Sequence, residues 1–436
     1  MGQVTADAGK PKRVRRVSLP PVRGEAAWGT LRGVSEPVSK SFILTSDKDP
    51  VRLKLIRDRT RMLKQGWPWV YRDWLAETPA AAMGARVVLR DKDGSLIAFG
   101  MYDPAGPLAV RICAAEQRLD DALVLAKLET ALSLRQALFD DQTTGYRLVN
   151  GEGDGLPGLT CDIYADHAVL KLDGDAPAAF WNVDAIADWL TSRLPIQTVF
   201  LKYRSDAPTR GRPVRGDVPN QPVQFVENGI RFQADLVQGQ KTGFFFDQRE
   251  NRARIGQLSR GKTVLNLFAY TGGFSVYAGM NGATDVTSVD LAKPAMEESN
   301  RNWALNQLPP ERHHAIAADV FEFLEQAKAT KRTWDVVVVD PPSFAPAERH
   351  VEKATASYQA LFTAALGVLV PGGIIALSSC SSHISQQMFY EITEAAVSKA
   401  RRLATILGVH GQPADHPFPL VCRELQYLKF VLLRVR

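Results

Sequence analysis

The chain has 436 residues, more than one hydrophobic core usually spans, so more than one domain is expected. Its 45% hydrophobic and 23% charged residues are those of an ordinary globular protein and exclude a disordered or fibrous class. The net charge of +6 favours a polyanionic partner only where the charge is clustered.

The first fifty residues are rich in Pro, Gly, Ser and basic residues and carry no sustained periodicity, so residues 1–50 read as a disordered basic tail. Within them KPKRVRR (10–16) reads first as a solvated charge run, with an RNA-contacting arm or part of a targeting segment as the alternatives. No continuous apolar signal core opens the chain, and no apolar run is long enough to span a bilayer. No membrane partner is expected.

Residues 51–117 alternate like short strands (VRLKLI, ARVVLRD, LIAFGMY, LAVRIC) separated by turn chemistry such as Asp93-Gly94. A small β-barrel-like module is expected. Its first third is basic, with Arg52, Lys54, Arg57, Arg59, Arg61, Lys64 and Arg72, and Trp67, Trp69, Tyr71 and Trp74 interleave with them. Cations meeting phosphate and aromatic faces stacking on unpaired bases would suit RNA. The competing reading is that the tryptophans, Trp69 and Trp74 above all, are core.

Residues 118–240 open with a helical stretch (118–140) and continue with strands YRLVN, LTCDIY, AVLKL, TVFLKY and IRFQADL. One helix, AAFWNVDAIADWLTSRL, interrupts them, and a small central α+β domain results. Its loop RSDAPTRGRPVRG (204–216) is a candidate phosphate contact or, equally, a plain surface loop.

Residues 241–436, from TVLNLF onward, alternate strand and helix, which predicts an α/β, doubly wound sheet with ligands beyond the carboxyl ends of its strands. After the first strand comes Phe268-Ala269-Tyr270-Thr271-Gly272-Gly273, which lets backbone approach a ligand but is not a G-x-G-x-x-G fingerprint. The second strand ends in Asp290, placed for ribose hydroxyls, and the third in Asp319, placed for an adenine amine. For either acid a helix N-cap is the plain alternative. The fourth strand runs into Asp340-Pro341-Pro342-Ser343-Phe344, a rigid turn able to grip a planar base with Phe344 stacking on its face. The fifth leads to Cys380 in a Ser-rich turn, a candidate nucleophile for C6 of a pyrimidine, with Asp340 holding or protonating N3.

The other cysteines, Cys113, Cys161 and Cys422, receive no role. With no CxxC pair and no histidine cluster, a disulfide scaffold and a metal site are not expected, and a cytoplasmic setting is.

Taken together, NGEGDGLPGLTCDIY, QKTGFFFDQRENR, LNLFAYTGGFSVYA, VVVVDPPSF and ALSSCSS resemble the large-subunit (23S) ribosomal RNA cytosine-C5 methyltransferases that carry an N-terminal PUA domain. The resemblance spans roughly residues 52–436 and implies a PUA domain, a connecting α+β domain and a Rossmann-like class I methyltransferase domain. It implies S-adenosylmethionine as cofactor and rRNA as partner; self-association as a homodimer is left open. It further implies that Lys241, Thr242, Gly243, Tyr270, Gly272, Asp290 and Asp319 match the cofactor pocket, with Phe268 and Ala269 in the same loop. Asp340 and Cys380 match the target-base site, beside Pro341, Pro342, Ser343 and Phe344, and Asp340 is counted to the cofactor pocket as well. Ser343 stands where the wider class commonly has a second cysteine, which leaves the base for the C5 proton unassigned. Methylation of a purine amine, such as guanine N2, is the alternative that Asp-Pro-Pro allows. A noncatalytic RNA-binding protein and a nicotinamide dehydrogenase fit less well.

Overall fold

The computed structural model describes residues 40–203 and 209–436. The basic run 10–16 and the first residues of the arginine-rich loop therefore lie outside the described residues. Residues 40–50 do not continue a tail. Phe42 and Ile43 are buried in the central core, and the Phe42 amide donates to Asp121 at 2.8 Å.

The first sheet holds β1 (Val51–Lys54), β2 (Trp69–Tyr71), β3 (Arg86–Arg90), β4 (Leu96–Tyr102) and β5 (Leu108–Ala115), with the short helix α1 (Thr60–Lys64) between β1 and β2. Its order is β1-β3-β4-β5-β2, and a bridge between Leu55 and Leu75 links the two outer strands into a barrel. The aromatic run thus forms a strand. Trp67 and Trp74 are buried in the barrel core, and Trp69, half-buried, donates from its indole to Glu152 at 3.0 Å. Trp67 and Trp74 are therefore core and not stacking surface, because burying these large rings stabilises the small barrel, whereas Trp69 and Tyr71 stay partly exposed. The cations are also engaged: Arg57 pairs with Asp73, Lys64 with Glu116, and Arg72 donates to the Gly106 and Asp103 carbonyls. Arg52, Lys54 and Arg61 remain exposed.

Helix α2 (Asp121–Leu138), capped by the Asp120 carboxylate, leads into β6 (Gly145–Asn150), β7 (Leu159–Tyr164), β8 (His167–Leu172), β9 (Thr198–Lys202) and β10 (Gly211–Arg215), ordered β10-β9-β8-β7-β6. The single helix expected here is two, α3 (Asp175–Phe180) and α4 (Val183–Arg193), because Trp181 is extended and Asn182 caps α4. Five residues of the supposed loop, Gly211–Arg215, are strand β10. Its Arg215 pairs with Asp184 and Asp188 on α4, so the phosphate reading fails for that arginine. A hairpin, β11 (Val223–Glu227) and β12 (Ile230–Ala234), follows.

After α5 (Arg249–Leu258) comes the large sheet. It contains β13 (Thr263–Leu267), β14 (Asp285–Asp290), β15 (His313–Ala317), β16 (Trp334–Val339), β17 (Leu369–Ser379), β18 (Ala404–His410) and β19 (Lys429–Val435). The order is β15-β14-β13-β16-β17-β19-β18, parallel except for β19, which runs antiparallel to both neighbours. Helices α6 (Gly273–Met280), α7 (Lys293–Leu305), α8 (Val320–Ala329), α9 (Val351–Leu366) and α10 (Gln386–Lys399) cross over between the parallel strands. The central β16 has Val336, Val337, Val338 and Val339 fully buried, as a strand covered on both faces requires. The α/β reading with a barrel-like N-terminal module and a central α+β piece is what the structure shows. The strand order reverses between β13 and β16, and that switch point is where ligands enter such sheets.

Residues 411–428 return from the large sheet to the rest of the molecule. Cys422 is buried in the barrel core, and Pro417 accepts from the Asn150 side chain at 2.8 Å.

Candidate functional site

At the carboxyl ends of the strands, over the switch point, lies a cleft of about 310 Å³. Ten of the residues singled out above line it: Lys241, Phe268, Ala269, Tyr270, Asp290, Asp319, Asp340, Pro341, Pro342 and Cys380. Thr242, Gly243, Gly272, Ser343 and Phe344 do not.

The β13 loop is strained where it meets the cleft. Phe268 and Tyr270 hold φ of +57° and +48°, and Lys241 opposite holds +50°. Such values for bulky side chains cost about 1 kcal/mol or more each and gather where surrounding contacts enforce them. Here the Asp290 carboxylate accepts from the Tyr270 amide at 2.9 Å and from the Ala292 amide at 2.9 Å. Across the cleft, Tyr270 donates its hydroxyl to the Gly243 carbonyl at 3.1 Å and accepts from the Gln240 amide at 3.1 Å. Burial pushes its phenol up to about 12, so it stays protonated. Asp319 caps α8, accepting from Phe321 and Glu322 through Oδ1, and also lines the cleft.

Thr242 is a pillar behind the wall. Its hydroxyl donates to Asp162 at 2.5 Å and sits 3.1 Å from the Tyr164 hydroxyl, which in turn accepts from the Phe244 amide. Gly272 has φ +79°, and a Cβ there would lie 2.1 Å from the Ser299 hydroxyl oxygen. Gly272→Ala is therefore expected to lower stability by roughly 1–3 kcal/mol and to weaken cofactor binding, read by thermal denaturation and calorimetry. Unchanged values in both measurements would contradict the assigned constraint.

Strands β16 and β17 pair in parallel up to Val339 and Leu377, so Asp340 and Cys380 emerge side by side. Asp340 accepts from the Gln248 amide at 2.9 Å, and that amide also reaches the Ser378 hydroxyl at 3.1 Å. Burial pushes the Asp340 carboxyl up to about 6, against the Ser378 hydrogen bond and with the Asp247 charge adding to the rise. Burial also raises the Cys380 thiol; Lys241 opposes this, and Asp340 and Asp247 reinforce it. Cys380 is partly exposed, whereas Cys113, Cys161 and Cys422 are buried.

The turn after Asp340 differs from its expected use. The Phe344 ring is half-buried, packs on Tyr358 with centroids 4.7 Å apart and does not line the cleft. Ser343 faces Ser381 at 3.0 Å, within a hydroxyl network that includes Tyr358 and Ser379. It stands behind the Cys380 turn, outside the cleft.

Asp247 and Gln248, which the sequence reading left without roles, are central to the site. They follow the aromatic run Phe244-Phe245-Phe246, and two polar residues directly after such a run are the signal that marks them. Asp247 is 4% exposed and lines the cleft. Its Oδ2 accepts from Lys241 at 3.1 Å and from the Tyr427 hydroxyl at 2.8 Å. The next residue but one, Arg249, enters a buried ion network with Glu227, Arg252 and Asp415. That network ties α5 to the hairpin and to the returning 411–428 segment. Among the described residues no group of three or more His, Cys, Asp or Glu could hold a metal ion, and no helix is long and apolar enough to cross a membrane.

Comparison with known proteins agrees with this geometry. Residues 182–411 match the family described as S-adenosylmethionine-dependent methyltransferase, and residues 53–114 match a PUA-like domain. A ribosomal RNA large subunit methyltransferase of Deinococcus radiodurans is 38% identical over 88% of this chain and 97% of its own. Ribosomal RNA large subunit methyltransferase I of Shewanella frigidimarina is 34% identical over 88% and 99%. Among solved structures, SMU.776, described as a methyltransferase complexed with SAH, superposes with a TM-score of 0.79 at 25% identity, covering 88% of this chain and 100% of that one.

Proposed function

This chain belongs to the S-adenosylmethionine-dependent methyltransferase family, alongside the PUA-domain methyltransferases of large-subunit ribosomal RNA, and we propose that it methylates C5 of a cytosine in 23S-type rRNA. The observation that carries the proposal is that Cys380 and Asp340, at the ends of adjacent parallel strands, open into one cleft.

S-adenosylmethionine is the cofactor of this family, and the residues present fit it. The glycine cradle at Gly272, which a Cβ would fill, lets the β13 loop close over a ligand, and the half-exposed Asp290 adds an acceptor. In our reading Phe268, Ala269, Tyr270, Asp290 and Asp319 hold the adenosine portion and Lys241 the opposite wall, while Thr242, Gly243 and Gly272 shape the cleft from behind. When bound, the cofactor supplies an electrophilic methyl group.

The chain's own residues make C5 of the base nucleophilic. Asp340, ionised at neutral pH, takes the proton of the Cys380 thiol, and the thiolate adds to C6. Asp340 then gives that proton to N3 as negative charge develops there. C5 later loses its own proton to solvent as the C6–S bond breaks, and the N3 proton returns through Asp340 to the departing thiolate, which regenerates Cys380. Amine methylation of a purine needs no cysteine and favours an aromatic face beside Asp-Pro-Pro. That Phe344 does not line the cleft, while Cys380 does, favours the cytosine reading over it. In this reading the protein acts in the cytoplasm, consistent with its four unpaired cysteines.

A pH dependence follows. The competent pair carries one proton between thiol and carboxyl. Below the Asp340 value of about 6 both groups are protonated, and one proton must be lost before the thiolate forms. At saturating cofactor, kcat/KM for RNA is expected to fall about tenfold per pH unit below about 6 and to be level from there to pH 8. A profile level through pH 6 and below would contradict Asp340 as the group that shuttles the proton.

The adduct can be tested directly. Large-subunit rRNA carrying 5-fluorocytosine should give a protein–RNA complex that survives denaturing electrophoresis, because fluorine cannot leave C5 as a proton does. Turnover on ordinary RNA with no such complex would refute the thiolate route.

A further inference from the structure

The Asp247 carboxylate has one oxygen that the fold uses and one that it does not. Oδ2 is held by Lys241 and by Tyr427, whereas Oδ1 is buried with no hydrogen-bond partner. A buried acceptor left without a donor costs about 1–3 kcal/mol, more when charged, so a fold keeps one chiefly where something else completes it. The carboxylate is ionised: burial works to raise its pKa, but Lys241, His416 and the Tyr427 hydroxyl outweigh burial and hold it well below the usual range. An anion with one oxygen lacking a donor, in a residue that lines the cleft, asks for an N–H donor.

The neighbours of Asp247 say which part of the cleft that donor comes from. Its charge acts on Asp340 and on Cys380, the two residues assigned to the target base. Its hydroxyl partner Tyr427 is itself acted on by Cys380. The adjacent Gln248 grips Asp340. None of Tyr270, Asp290 and Asp319 hydrogen-bonds to Asp247 among the described contacts, and all three belong to the adenosine side.

We propose that Asp247 is the specificity residue of the reaction, its Oδ1 accepting a hydrogen bond from the exocyclic amine of the target cytosine while Asp340 addresses N3. This rests on the cytosine reading above. Two carboxyl groups would then read the Watson–Crick edge: an acid that can carry a proton at N3, and a fixed anion at N4. Uracil presents a carbonyl oxygen where cytosine presents the amine. Against the Asp247 anion that oxygen is repelled, and the buried acceptor stays unmatched. Lys241 and Tyr427 act as positioning residues that fix the carboxylate in the wall.

The test uses the full chain with transcribed large-subunit rRNA, its modified position first mapped by nucleoside mass spectrometry, and the same RNA with uridine at that position. Asp247→Asn is expected to lower kcat/KM for the cytosine RNA by roughly 100-fold or more and to collapse the cytosine-over-uridine ratio, because an amide can donate to the uracil oxygen. Calorimetric affinity for S-adenosylmethionine should stay within about twofold of the wild type, since the lost contact belongs to the base. Tyr427→Phe keeps the charge and frees one anchor, so it should shift the ratio the same way by less, even if the asparagine variant folds poorly. An unchanged ratio in both variants overturns the proposal, as does a loss of cofactor affinity matching the loss of kcat/KM in a folded protein. Failure of the cytosine reading itself would show separately, as a wild-type product other than 5-methylcytidine.

Discussion

Cys380→Ala is expected to abolish 5-methylcytidine formation, a loss of about 10^4-fold or more in turnover, with S-adenosylmethionine binding retained. The thiol sits at the end of β17, where the strand opens into the cleft, and Cys380 is partly exposed while the other three cysteines are buried. Alanine removes the one group able to add to C6. It leaves intact the Asp290 contacts and the strained β13 loop that form the cofactor side. A cofactor titration on the same preparation separates lost chemistry from lost folding. Cysteine-free turnover near the wild-type rate would remove Cys380 from the reaction and restore amine methylation as the better reading.

The second large effect is structural. Glu227→Ala should destabilise the protein by about 3–5 kcal/mol, read as a lowered urea midpoint and melting temperature. The Glu227 side chain is fully buried and receives Arg252 through two nitrogens at 2.9 and 2.7 Å, Arg249 at 3.4 Å and the Tyr277 hydroxyl at 3.0 Å. Removing it strands the Arg252 guanidinium in the interior with no other carboxylate partner among the described residues. Arg249 keeps Asp415 at 2.9 Å. Because desolvating two charges offsets most of their attraction, replacing both Glu227 and Arg252 by methionine should recover at least about 1 kcal/mol of the loss. A single variant within about 0.5 kcal/mol of the wild type would show that the pair is solvated in solution. Since the same network anchors α5 and the 411–428 segment, activity is expected to fall with stability.

Much of the fold can be read along the chain because its signals are local. The valines of 336–339 specify a doubly covered strand, and Asp120 and Asp319 mark helix starts by their own side chains. The ends of the parallel strands then bring Asp290, Asp340 and Cys380 to one cleft with no further information. Composition misleads where burial decides. Trp67 and Trp74 look like an RNA-stacking surface and are barrel core, and Phe344 looks like a base-stacking ring and is packed on Tyr358. Long-range partnerships cannot be seen from spacing at all. Arg147 meets Asp415 across 268 positions, and Tyr427 reaches Asp247 across 180. For that reason Asp247, an ordinary acid in the sequence, becomes conspicuous only when one of its oxygens is found without a partner.

The central claim is that this cleft makes 5-methylcytidine in large-subunit rRNA. Purified protein, S-adenosylmethionine with a labelled methyl group and unmodified rRNA, followed by nucleoside mass spectrometry, test it most directly. The predicted result is label in 5-methylcytidine alone, at one position, and none with Cys380→Ala. Label in N2-methylguanosine or another amine-methylated nucleoside, undiminished by that substitution, would contradict it.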